Sequence, residues 1–156
     1  MKIELMKEED IFETQKMIER TLKISFPTVY PQGSIDYVVS YLNVETLKQR
    51  MTKSHFYVVK IDNEIVGCGG IAPYNDKEDE SILLTIFVEP KLQGKGVGRK
   101  IIETLENDEY GVRAKRIEVP ASMVGIPFYK KLGYEHKNGE LNYDDGHFSM
   151  EKFKQL

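Results

Sequence analysis

The stretch that most restricts the fold runs from "SILLTIFV" (81–88) through Pro90 to "QGKGVG" (93–98). Its apolar, β-branched and aromatic residues read as a buried strand, and Pro90 ends it because proline has no N–H to give a ladder. Just beyond, Val97, Ile101, Ile102 and Leu105 recur at helical spacing. A strand therefore delivers the chain into a helix through a loop that holds Gly94, Gly96 and Gly98 together with Lys95 and Arg99. The first N–H groups of a helix lack partners within it and carry partial positive charge, and glycines leave them open to an anion. The junction suits a phosphate or pyrophosphate, with Lys95 and Arg99 adding charge and the Gln93 amide offering a donor. It is not a Walker A loop, because Lys95 is followed by Gly96 rather than Ser or Thr. It is not a dinucleotide fingerprint either, since the third glycine of that pattern falls on Arg99. The plain alternative is a flexible turn.

With 156 residues, 40% of them hydrophobic, the chain is predicted to form one domain over 1–156 with a substantial core. A formal net charge of -3 argues against a general nucleic-acid binder. No apolar run reaches membrane-spanning length and the charged "MKIELMKEED" is no signal peptide, so a cytoplasmic protein is expected, with no membrane partner. Cys68, the one cysteine, sits in "IVGCGGIA" and reads as a small buried hydrophobe.

Strands and helices alternate along the chain. "KIELMK" reads as a strand and 8–24 as a helix burying Ile11, Ile18 and Leu22; after the loop "SFPTVYPQG", residues 34–51 read as two short helices. "HFYVVKI" and "IVGCGGIA" form a hairpin across "DNE", and the acidic "DKEDE" leads, as a solvated loop, into the strong strand. Gly111 is placed to stop the glycine-loop helix. "KRIEVPAS" reads as a strand and "VGIPFYKKLG" as a helix, before "YEHKNGELNY" and "HFSMEKF" pair across "DDG".

"QGKGVG" matches Gln/Arg-x-x-Gly-x-Gly/Ala at every position, and with "FVEP" before it and "FYKKLGY" (128–134) after it the chain resembles the GNAT acetyltransferase superfamily. The resemblance extends along the whole chain. It implies an α/β (α+β) fold: a mixed, mostly antiparallel sheet of about seven strands flanked by helices, its central strands splayed at a bulge. It also implies acetyl-CoA as cofactor, with Gln93, Gly94, Lys95, Gly96, Val97, Gly98 and Arg99 holding the pyrophosphate. Backbone amides of Ile86, Phe87 or Val88 are expected to face the thioester. Tyr129 matches the tyrosine that commonly serves as general acid toward the CoA sulfur; its plain alternative is a tyrosine packed on the sheet. Ser122 stands where many members carry an asparagine that bonds the cofactor, and Lys131 is placed to reach the 3′-phosphate. No metal is implied.

An ammonium acceptor near pKa ~10 must lose a proton before it attacks. Glu80 is the candidate base, with a water chain as the alternative. His55, His136 and His147 have no sequence partners that raise them above surface histidines. Phe26, Tyr30 and Tyr143 are expected to form an aromatic wall for a small-molecule or peptide amine. The acids at 78–80, with Asp144 and Asp145, would favour a cationic amine wherever they face its site. The terminal strands offer an edge for a homodimer. Two other functions fit the same residues: a CoA-binding regulatory module without turnover, and an ATP- or GTP-binding protein, against which the missing Walker pair counts.

Overall fold

A computed structural model describes residues 1–144 and 146–154. Asp145 lies outside the described residues, as does the side chain of Asp144. The chain runs β1 (Lys2–Leu5), α1 (Ile11–Ser25), α2 (Gln32–Tyr41), α3 (Val44–Lys53), β2 (His55–Ile61), β3 (Glu64–Tyr74), β4 (Lys77–Val88), α4 (Val97–Glu106), α5 (Glu109–Arg113), β5 (Arg116–Ala121), α6 (Ile126–Lys131), β6 (Glu135–His136), β7 (Tyr143–Asp144) and β8 (His147–Phe153). The sheet order is β1-β2-β3-β4-β5-β8-β6, with the short β7 also on β8. Every pairing is antiparallel except β4 with β5. None of the helices is long and apolar enough to cross a membrane among the described residues.

Two apolar clusters occupy the two faces of the sheet. On one face, α1 buries Ile11, Met17, Ile18 and Leu22, and α3 buries Leu47, against Phe56, Val58 and Cys68. On the other, α4 buries Val97, Ile101, Ile102 and Leu105 against Val59, Ile71, Leu83 and Ile117. Each helix presents the i, i+3, i+4 stripe that lets one side of a 3.6-residue period face the sheet.

Three sequence expectations are corrected. The acidic "DKEDE" is not a loop: β3 and β4 meet in a two-residue turn at Asn75 and Asp76, both left-handed (φ 58° and 54°), so 78–80 lie on β4. Asparagine and aspartate tolerate that region and a tight hairpin requires it. Gly111 does not end α4, which stops at Glu106; it lies in α5, where a Cβ would collide with the Leu105 carbonyl and the Glu106 backbone. The strand expected over 134–143 is broken by the turn at Lys137–Gly139, where Asn138 and Gly139 have φ 57° and 72°.

β4 and β5 pair only at Glu80 with Arg116, Ser81 with Ile117 and Ile82 with Glu118. Arg116 clamps this short parallel ladder. Its guanidinium donates to Glu80 on β4 (3.0 Å), to Glu118 on its own strand and to Glu151 on β8 (2.7 Å). Past Ile82 the ladder ends: β5 remains on β8 up to Ala121, and β4 follows β3 to Val88.

Asp108 ties the start of β2 to α5. It accepts from the Tyr57 hydroxyl (2.6 Å), the His55 ring nitrogen Nδ1 (2.8 Å) and the Tyr110 N–H (2.9 Å), so His55 is no ordinary surface histidine. Burial alone would push the Asp108 carboxyl up, but these bonds outweigh it and hold the group below its ordinary value. A depressed carboxyl contributes stability above its unfolded pKa and loses it as pH falls through the folded value. Asp108→Asn is therefore expected to lower unfolding free energy at pH 7 by about 1–3 kcal/mol. In urea titrations its gap to wild type should narrow below about pH 3.9; a gap that stays constant with pH would refute the assignment.

Candidate active site

The divergence of β4 from β5 opens a cleft of about 470 Å³. β4 lines it with Leu83–Phe87, β5 with Val119 and Pro120, α2 with Tyr37, Val38 and Tyr41, α3 with Arg50, and Leu42, Ser122, Tyr129 and His147 also line it. A bulge shapes the β4 wall. Cys68 pairs with Phe87 and Gly70 with Leu84, so Gly69 alone stands opposite both Thr85 and Ile86. One inserted residue reverses the alternation of a strand. Leu84 and Phe87 consequently both pack with the α1–α3 cluster, and Leu83, Ile86 and Val88 with the α4 cluster.

Thr85 carries the bulge at φ 54°, a conformation that a β-branched residue adopts only under constraint, at roughly 1–3 kcal/mol. Two contacts hold it. The Arg50 Nε donates to the Thr85 hydroxyl (3.0 Å) and the Cys68 thiol donates to its carbonyl (3.3 Å). Cys68 is fully buried, and burial pushes its thiol well above the ordinary value. It packs as the hydrophobe the sequence suggests.

Beyond the bulge, the Glu89 N–H donates to the Val66 carbonyl (2.8 Å). By the alternation of an antiparallel ladder, Phe87 is bonded to Cys68, and Val88 turns both its N–H and its carbonyl away from β3. The Val88 carbonyl accepts from Gln93 Nε2 (3.1 Å) and more loosely from the Thr21 hydroxyl (3.5 Å). Gln93 Nε2 also reaches the Ser25 hydroxyl (3.4 Å), so its side chain braces the glycine loop onto β4 and α1. In the loop itself, Gly94 and Gly96 have φ 79° and 88°, and a Cβ on either would meet nothing within 4 Å. Backbone conformation, not crowding, demands glycine there, and Gly96 is the left-handed cap of α4. Gly98 differs: its missing Cβ would meet the Phe128 ring at 2.9 Å, so it lets α4 pack closely on α6. Lys95, Arg99 and Lys131 are exposed and Val97 is core.

Tyr129 is 6% exposed and stands edge-on to both Phe128 and Tyr134 (centroids 5.1 and 5.9 Å). Its hydroxyl makes no hydrogen bond among the described residues, although the side chain lines the cleft. Burial pushes that hydroxyl above its ordinary pKa. Tyr134, by contrast, is committed to Glu106 (2.8 Å). Ser122 lines the cleft, and its hydroxyl accepts from the Gly125 N–H (3.2 Å) at the start of α6.

Two sets of expected site residues lie outside the lining of this cleft. Glu80 does not line it. The residue sits at the closed end of β4, five residues before Thr85, and Asn75 (3.1 Å), Lys77 (3.2 Å) and Arg116 (3.0 Å) hold its carboxylate. The hydrogen bond from Asn75, followed by those cations, lowers its pKa, the opposite of what a base needs. Phe26, Tyr30 and Tyr143 are not among the cleft's lining residues either. Phe26 and Tyr30 stack on each other (5.4 Å), and the Tyr30 hydroxyl accepts from the Met123 N–H (2.7 Å), while Tyr143 packs on Phe148 (5.1 Å). Their place is taken by Tyr37 and Tyr41, one helical turn apart and stacked at 6.4 Å. That i, i+4 pair was the available sequence signal. Nothing local marked Arg50 or His147, which long-range packing brings into the cleft.

An acetyltransferase (GNAT) domain model matches residues 52–136. The chain belongs to the GNAT acetyltransferase family. An Escherichia coli K12 protein described as an uncharacterized N-acetyltransferase, YjgM, is 33% identical over 106 residues. That match spans 64% of each protein, so this chain covers somewhat under two thirds of that relative. Among solved structures, the PaiA N-acetyltransferase of Thermoplasma acidophilum, in complex with coenzyme A, superposes with a TM-score of 0.84 at 17% identity, covering 98% of each chain. A GCN5-related N-acetyltransferase from Rhodopseudomonas palustris gives 0.80 at 19% identity, over 98% of this chain and 95% of that one. These likenesses carry the GNAT fold over the full length, including β7 and β8 beyond the matched domain.

The positions of Glu80 and Arg116 make a direct test possible. Glu80→Gln is expected to leave kcat/KM for acetyl transfer within about twofold of wild type. A fall of 100-fold or more, about 2.7 kcal/mol, measured by release of free thiol, would return Glu80 to the reaction.

Proposed function

We propose that this chain is an acetyl-CoA-dependent N-acetyltransferase that moves the acetyl group to a primary amine within a ternary complex. The observation that supports it most is the Tyr129 hydroxyl, without a hydrogen-bond partner among the described residues, in a cleft whose other wall is the bulged end of β4. The left-handed glycine loop at the end of that strand fits the cofactor's pyrophosphate. Gly94 to Arg99 would hold it through backbone N–H groups at the start of α4, with Lys95 and Arg99 at the rim. Gln93 contributes by fixing the loop.

In the reaction, the amine forms a C–N bond to the thioester carbonyl carbon, the C–S bond breaks, and the thiolate leaves. Negative charge develops first on the carbonyl oxygen. The Val88 N–H, turned away from β3, is the donor positioned to stabilise it. Tyr129 then donates to the departing sulfur. Because burial raises its pKa, complete transfer to a thiolate of ordinary pKa near 8.5 is uphill. Its part is a strong hydrogen bond during departure, with the final proton supplied through the amine. Two protons leave the ammonium acceptor: the first passes to water or to His147, which lines the same cleft, before attack, and the second leaves nitrogen after the C–N bond forms and ends on the thiolate.

Two experiments test this reading. Isothermal titration with acetyl-CoA is expected to show micromolar binding that Gly96→Glu abolishes and Gly96→Ala, which adds strain without bulk or charge, retains in part. Absence of binding to the wild type would overturn the proposal. Tyr129→Phe is expected to lower kcat by about 10²–10⁴-fold while acetyl-CoA binding stays intact. An unchanged kcat would remove Tyr129 from the mechanism.

A further inference from the structure

Among the described residues, the lining of the cleft contains no aspartate or glutamate, and Arg50 is its one permanently charged side chain. Among the described residues Arg50 enters no ion pair, unlike Arg20 and Arg116, which are tied to carboxylates. The single hydrogen bond of its side chain there runs from Nε to the Thr85 hydroxyl. That bond fixes the plane of the guanidinium and leaves its terminal nitrogens, Nη1 and Nη2, without a partner among the described residues. Such a fork matches the two oxygens of a carboxylate. Arg50 comes from α3, on the α1–α3 side of the sheet, and Tyr129 from α6 on the other; the cleft between them runs through the splay. Tyr37 and Tyr41, 68% and 51% exposed, stand at the α2 side as flat apolar surface.

We infer that the acceptor is a primary amine that also carries a carboxylate, of the amino-acid class, and that Arg50 binds that carboxylate. This rests on the acetyl-transfer reading and narrows the expected small-molecule or peptide amine to one that bears a carboxylate. Fixed positive charge in a half-buried cleft repels a simple polyamine and attracts an anion. Held at Arg50, next to the bulge, the carboxylate orients its neighbouring amine toward the end of β4 where the Val88 N–H lies. Arg50 also steadies Thr85, so a purely structural role must be separated from recognition.

The test is a set of matched pairs assayed with acetyl-CoA on the full chain: glycine with methylamine, leucine with isoamylamine, phenylalanine with phenethylamine, and glutamate with 4-aminobutyrate. Wild type is expected to favour the α-carboxylated member of at least one pair by about 10–100-fold in kcat/KM, as loss of hydrogen bonds to a charged group implies. Arg50→Gln should erase that preference through KM, and Arg50→Lys should keep part of it. Thr85→Val removes the bond to Nε but not the charge, so it should lower both members together and preserve their ratio. Circular dichroism melts check that each variant is folded. Turnover of the amines without preference for the carboxylate, or an equal fall of both members in Arg50→Gln, would overturn the inference and leave acetyl transfer standing. Absence of acetyl-CoA binding and of all turnover would overturn both.

Discussion

The left-handed Thr85 is the constraint around which the site is organised. A β-branched residue in that conformation is costly, and it persists because Arg50 and Cys68 each satisfy one of its polar groups. The inserted residue reverses the alternation of β4, so that Phe87 joins the α1–α3 core and Val88 the α4 core. Had the strand continued in register, the apolar end of β4 would present these side chains to the wrong faces. The bulge therefore serves packing and chemistry together: it redirects the end of β4 and marks where that strand has left β5.

The opposite end of the same strand pair is closed by charge. Arg116 binds carboxylates from three strands, and Glu118 accepts in addition from Lys137 (3.2 Å). Charges withdrawn from water in this way cost desolvation unless every partner is present, so the cluster behaves as a unit. Where it ends, the parallel ladder ends. A clamp at one end and a bulge past the other produce a wedge-shaped opening without any long insertion in the chain. Polar pairing thus saturates Glu80 at the pinch and leaves Arg50 in the opening without an acidic partner among the described residues.

What the sequence alone determined was local and periodic. The glycine loop, its position between strand and helix, the buried stripe of α4, the two short helices before β2 and the alternation of strands and helices along the chain follow from spacings within a few residues of one another. Tyr129 was legible for the same reason, since "FYKKLGY" is a contiguous block. Only the tertiary structure decided the rest. Arg50 meets Thr85 across 35 positions of chain and His55 meets Asp108 across 53, contacts that no local period encodes. Glu80 likewise carries no local sign that Arg116, paired with it only once β4 and β5 align, will take its carboxylate out of use. Backbone preference is written residue by residue; the partner that neutralises a charge, and the cleft that is left with one, exist only after distant strands have been brought into register.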